Sequence, residues 1–207
     1  MRSVLNTIRQ DYRRNRDPLA RLVLTVFRFG QWTVARRTLP RRLCGLPYKV
    51  LNLLVVRLGT NSDLPREVSC GPGLRLFHPY GLILHPGVRL GANIDVYHRV
   101  TIGRRDLTGE PIISDEVTLG TGAVVLGPVV IGPRAKIAAG ATVLDDVPAG
   151  GTALGPRASV RGPATGAERT GAERIGSERS SPGQELTTAT SITSTGSRRG
   201  VGQLGSP

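Results

Sequence analysis

Apolar residues follow two different periods along the 207-residue chain. Up to about Thr60 they recur at helical spacing, as in Leu22, Val26 and Phe29, among long basic side chains. Pro40 and Pro47 punctuate this stretch, so the pattern predicts two or three helices. From Leu64 the period becomes six. Leu64, Cys70, Leu76, Leu82, Val88, Ile94 and Val100 form one series. After an insert at 104–111, Ile113, Leu119, Val125, Ile131, Ile137 and Val143 form a second series in a new phase. Four residues after an anchor the side chain is often small or aliphatic, as at Val68, Ala92, Ala123 and Ala135. Neither strand alternation nor helix spacing gives a strict period of six. A triangular coil does: each hexad supplies one flat face and one corner, and three hexads complete a turn. The pattern therefore predicts a parallel β-helix with inward anchors stacked coil on coil, its only break being the insert.

Composition agrees with that core. Hydrophobic residues make up 39% of the chain but aromatics only 4%, so the interior must be Val, Ile, Leu and Ala. The 27 glycines suit many tight turns. A third stretch, 162–207, carries TGAER, TGAER and IGSER in tandem and has no apolar face. It cannot bury a core and is expected to be disordered. The expected organisation is a basic helical leader at 1–60, a β-helix domain at 61–161 and a disordered low-complexity tail at 162–207.

The net charge of +13 lies mostly before Thr60 and raises the question of an anionic partner. The leader's arginines lack the aromatic interleaving of a single-strand binder, so no nucleic-acid partner is expected. The expectation is a helical cap with a solvated basic face; peripheral membrane contact through this leader is the alternative. Its most apolar window, 19–35, is interrupted by Arg21 and Arg28, too broken to span a bilayer. Two cysteines, Cys44 and Cys70, make no disulfide framework, and no signal peptide is visible; both favour a cytoplasmic location.

The chain has three histidines, His78, His85 and His98, and no His/Cys spacing that suggests a metal site. The run GLRLFHPYGLILHPGVRLGANIDVYHRVTIG leads, after the insert, into GEPIISDEVTLGTGAVVLGPVVIGPRAKIAAGATVLDDVP. Over roughly 63–160 it resembles the serine acetyltransferase family of hexapeptide-repeat acyltransferases. The leader segment IRQDYRRNRDPLARLVLTVFRFGQ also looks like that of short bacterial members, some of which are thought to acetylate sugars in exopolysaccharide synthesis. The resemblance implies a left-handed coil, a homotrimer or dimer of trimers, and acetyl-CoA as co-substrate in the cleft between subunits. No permanently bound cofactor is expected. His78 matches the family's catalytic base, and Asp63, fifteen residues upstream, the aspartate that orients it. Thr101, Gly103, Thr121, Lys136 and Ala139 match CoA-contacting positions. His85 reads as a corner residue, and His98 as either cleft-facing or packed.

Three departures bear on the acceptor. Phe77 stands where the family has an aspartate. Gly109-Glu110-Pro111 replaces Arg-His-Pro, and the loop is about three residues shorter than the family's. The expected acceptor contacts are therefore Glu110, Arg104, Arg105 and His98; a solvated surface loop is the plain alternative. The expected function is O-acetylation of L-serine to O-acetyl-L-serine, for cysteine biosynthesis. Acetylation of a sugar hydroxyl is the first alternative, and a non-catalytic β-helix scaffold is the alternative of another class.

Overall fold

A computed structural model describes residues 2–35, 40–106, 109–157 and 159. The tail predicted at 162–207 lies outside the described residues, as do Leu107 and Thr108 of the insert.

The leader forms α1 (Arg2–Arg14), α2 (Pro18–Ala35) and α3 (Pro40–Leu51). A π-helical stretch, Asn52–Leu58, continues α3. Asp17 caps α2, its Oδ1 accepting the Leu19 N–H at 2.9 Å. Pro18 takes the first helical position, where a missing N–H costs nothing. Ala20, Val23, Leu24 and Phe27 fall on one face of α2 and are buried. No helix among the described residues is long and apolar enough to cross a membrane.

Beyond the leader, short parallel strands stack into three sheets, the faces of the β-helix. The first face holds Ile83–Leu84, Thr101–Gly103, Val124–Leu126 and Thr142–Val143, with Asp63 bridged to Ile83. The second holds Ser69–Cys70, Arg89–Leu90, Ile112–Ile113 and Val130–Ile131. The third holds Arg75–Phe77, Asp95–Tyr97, Thr118–Leu119, Lys136–Ile137 and Thr152–Ala153. Register stacks like on like. Leu84, Ile102, Val125 and Val143 form one inward column, and Leu76, Val96, Leu119 and Ile137 another; all are buried.

The register corrects one expectation. Partners in successive coils are 18 residues apart at Thr142↔Val124 and Lys136↔Thr118. Across the insert they are 23 apart, as at Arg89↔Ile112. Between the first and second coils they are 20 apart, as at Arg75↔Asp95. The period therefore has three breaks, not one: in the first coil, at the insert, and in the closing coil, where partners are 16 apart, as at Lys136↔Thr152. The first was hidden because alternate strand residues point the same way: Leu82 and Leu84 are both buried. Stepping six from Leu76 lands on Leu82, an inward residue, although the residue stacked in the anchor column is Leu84. The extra pair can be named. Phe77 is in register with Tyr97. Tyr80 corresponds to His98, because the Arg99 N–H donates to the Tyr80 carbonyl as the Gly122 N–H does to that of His98. The insertion is His78-Pro79.

The leader closes one end of the coil. An open end exposes unpaired strand-edge N–H and C=O groups, which must find partners. Here side chains of α1, α2 and the turn between them supply the partners. Asp11 Oδ1 accepts the N–H groups of Gly73 and Leu74 at 2.8 and 2.9 Å. Asn15 donates to the Leu74 carbonyl at 2.8 Å and accepts the Leu76 N–H at 2.9 Å, as a neighbouring strand would. Arg28 donates to the carbonyls of Cys70 and Gly71, and Gln31 to that of Val68. Arg28 and Asp11 also pair at 2.8 Å, with side chains 2% and 0% exposed. Burial pushes the neighbouring Cys70 thiol up to about 11, Arg28 offsetting only part of that, so the sulfur packs as a neutral group.

Candidate active site

The edge between the third and first faces carries His78, the expected base. Its ordinary corner is a single residue in left-handed conformation: Gly81, Arg99, Gly122 and Gly140 have φ of 65, 59, 66 and 67°. The residues just before them, Tyr80, His98, Thr121 and Ala139, rise in one line, linked by Arg99, Gly122 and Gly140 N–H bonds to the carbonyls of the coil below. At the foot of this line the inserted His78 adopts φ 56° and projects as an exposed side chain. Coils are spaced about 4.8 Å, so Ala139 sits roughly 14 Å along the edge from the His78 coil.

Two buried groups hold the His78 corner. Ser62, 3% exposed, accepts the Leu82 N–H at 3.0 Å. Its one hydroxyl proton is shared between the carbonyls of Thr60 and Pro79, at 3.1 and 3.2 Å. The Gly81 N–H donates to the Thr60 carbonyl at 2.9 Å. Sequence reasoning missed Ser62, because an Asn-Ser-Asp run reads as an ordinary turn. Ser62→Ala leaves the buried Leu82 N–H without its acceptor, a cost of about 1–3 kcal/mol, and loosens the loop that carries His78. Its expected signature is a urea midpoint lowered in proportion to that cost; an unaltered midpoint removes Ser62 from the hold on the His78 corner.

The predicted site residues separate into two clefts. His78 lies in a cleft of about 810 Å3 with Arg13, Arg14, Arg16, Asp17 and Arg75. Beside it, Phe77 stacks on Tyr97 with ring centroids 4.4 Å apart, and Arg75 lies 4.3 Å over the Phe77 ring. The His98 ring stands edge-on to that of His78, 6.1 Å away, and its buried Nδ1 has no hydrogen-bond partner.

Asp63, Thr101, Gly103 and Arg104 line a second cleft of about 650 Å3 together with Arg57 and His85. Asp63 accepts a hydrogen bond from Arg57 at 3.1 Å and makes none to His78. Glu110 bonds Arg104, and its Oε1 lies 3.8 Å from His85 Nδ1. The Arg104 hydrogen bond, with the nearby charges of Arg104 and His85, holds the Glu110 carboxyl below its ordinary value. Arg105 lies 3.7 Å from Asp106. The insert thus answers much of its own charge and meets His85 rather than His78. Lys136 is exposed on the third face, between Thr118 and Thr152. Among the described residues no group of three or more His, Cys, Asp or Glu side chains could hold a metal ion.

Residues 110–145 match the bacterial transferase hexapeptide family (six repeats). That part of the coil carries hexapeptide repeats. The chain's relatives are serine acetyltransferases. That of Buchnera aphidicola subsp. Schizaphis graminum is 30% identical over 169 residues, which cover 76% of this chain and 65% of the relative. That of Helicobacter pylori is 34% identical over 110 residues, covering 50% and 63%. The chain therefore spans less than two thirds of either curated relative. Among solved structures, the soybean serine acetyltransferase apoenzyme superposes with a TM-score of 0.64 at 28% identity, covering 75% of this chain and 68% of that one. The Neisseria gonorrhoeae serine acetyltransferase in complex with serine gives 0.60 at 26% identity, covering 77% and 70%. The helical leader is part of the likeness to these two structures, since coverages of 75% and 77% exceed the coil itself.

Proposed function

We propose that the chain is an O-acetyltransferase that moves the acetyl group of acetyl-CoA to the hydroxyl of L-serine, with His78 as general base. The observation that carries the reading is the His78-Pro79 insertion, which sets an exposed imidazole at the foot of the corner line that Thr121 and Ala139 continue. The likeness to serine acetyltransferases supports L-serine as the acceptor.

A neutral imidazole takes the hydroxyl proton as the oxygen attacks the thioester carbonyl. The tetrahedral adduct then collapses, the C–S bond breaks, and the imidazolium returns the proton to the leaving thiolate. The products are O-acetyl-L-serine and free CoA, and the histidine is regenerated. The acceptor lies in the His78 cleft, and the pantetheine arm runs up the edge past Thr121 and Ala139. A neighbouring subunit walls that arm in a homotrimer, and exposed Ile83, Ile112 and Val130 on the coil faces supply apolar surface for the contact. Cytoplasmic location, where acetyl-CoA is available, belongs to the same reading.

A sugar hydroxyl is the second reading, favoured by the Phe77–Tyr97 pair beside His78, since flat aromatic faces stack well against sugar rings. Thiol release from acetyl-CoA, measured with L-serine, neutral sugars and nucleotide sugars, separates the two. Turnover with L-serine supports the proposal; turnover with sugars alone replaces it by the second reading, and no acceptor-dependent release with any of them removes both.

A further inference from the structure

We infer that the cleft beside His78 binds an anionic group of the acceptor, a carboxylate or a phosphate, through Arg13 and Arg16 of the helical leader. The inference rests on the acyl-transfer reading above and deepens it by naming the acceptor's charge and the residues that meet it.

The four arginines of this cleft fall into two pairs. Arg14 and Arg75 both bond Asp95, at 2.8 Å for Arg14 and at 3.0 and 2.6 Å for the two oxygens met by Arg75. Arg14 also donates to the Gly73 carbonyl. These two guanidinium groups are committed and act as walls. Arg13 and Arg16 are exposed and make no ion pair among the described residues. Asp17, the one acid lining the cleft, gives Oδ1 to the Leu19 N–H as a helix cap. Asp17 and Asp95 therefore offset only half of the cleft's positive charge.

Placement adds to the charge argument. Arg14 and Arg16 flank Asn15, whose buried amide is bonded to the Leu74 carbonyl and the Leu76 N–H. Leu76 belongs to the strand that runs directly into His78. The end of α1 is thus fixed against the base's own strand. A guanidinium offers two parallel N–H groups that match a carboxylate or phosphate edge. An anion held there fixes one end of a small acceptor while its hydroxyl meets the imidazole. The insert, where the sequence placed this role, carries arginines already paired with Glu110 and Asp106 and lines the other cleft.

The test compares the wild-type chain with the Arg13→Gln/Arg16→Gln and Arg13→Lys/Arg16→Lys double variants in steady-state assays of thiol release. Acceptors are supplied in matched pairs: L-serine against L-serinamide, and a sugar phosphate against its neutral sugar. The expected result is preference for the anionic member, with its KM raised about tenfold to a hundredfold in the Gln variant and largely recovered in the Lys variant. Acetyl-CoA and 3′-dephospho-acetyl-CoA form a further pair. A Gln variant whose KM rises for acetyl-CoA but not for the dephospho form would show that these arginines serve the donor's phosphate, and overturns the proposal. Equal use of neutral and anionic acceptors, or an unchanged acceptor KM, overturns it as well. If the sugar phosphate is used and serine is not, the serine reading falls while this inference stands.

Discussion

Replacing His78 with asparagine is expected to cripple the proposed acetyl transfer, with kcat falling about 10²-fold to 10⁴-fold. Asparagine is a sharper choice than alanine because His78 sits at φ 56°. Left-handed backbone costs an ordinary side chain roughly 1–2 kcal/mol, a penalty that asparagine largely escapes. The variant keeps the corner and removes the proposed proton acceptor. His78 is exposed and fills no core space, so the unfolding free energy stays within about 0.5 kcal/mol of wild type. His78→Ala gives the same loss of rate with a small added loss of stability. Steady-state thiol release with L-serine, read beside a denaturant melt, checks both parts. Retained turnover in the asparagine variant would falsify the general-base assignment.

The breaks in the period explain how far the site could be read from residues. Hexads with inward aliphatic anchors leave little choice but a triangular coil, so the faces, their stacking and the insert at 104–111 were legible. The corner at His78 was legible only as a motif. Its two extra residues left the hydrophobic series intact, because Leu82 and Leu84 both point inward. A comparison of coil lengths, 20 residues against 18, exposes the insertion at once. The polar partners were harder. Glu110 and Arg104 suit acceptor binding by type, but the fold folds the insert back upon itself and sets them beside His85. Asp63 stands at the expected separation, yet its carboxylate meets Arg57 on the first face. Arg13 and Arg16 looked like part of a solvated basic face. Only the docking of α1 against the first coil brings them to His78.

That docking carries the second large effect. Arg28→Leu is expected to lower unfolding free energy by about 3–5 kcal/mol, because it strands the Asp11 carboxylate at 0% exposure without its cation. The carboxylate keeps the N–H groups of Gly73 and Leu74, so its burial is only partly answered. On the other side, the carbonyls of Cys70 and Gly71 lose their donors. An isolated buried ion pair can often be exchanged for two apolar residues at little cost. Here that exchange is expected to fail. Asp11→Leu/Arg28→Leu removes both charges but leaves four edge groups of the first coil unpaired, and each costs roughly 1–3 kcal/mol when buried. The double variant should therefore remain several kcal/mol below wild type rather than recover. Urea unfolding followed by far-ultraviolet circular dichroism distinguishes the outcomes. If the double variant matches wild type, the pair is replaceable filling. If both variants are impaired, Asp11 and Arg28 stand in for the missing coil, and the leader that presents Arg13 and Arg16 is held in place by the same bonds that close the end of the β-helix.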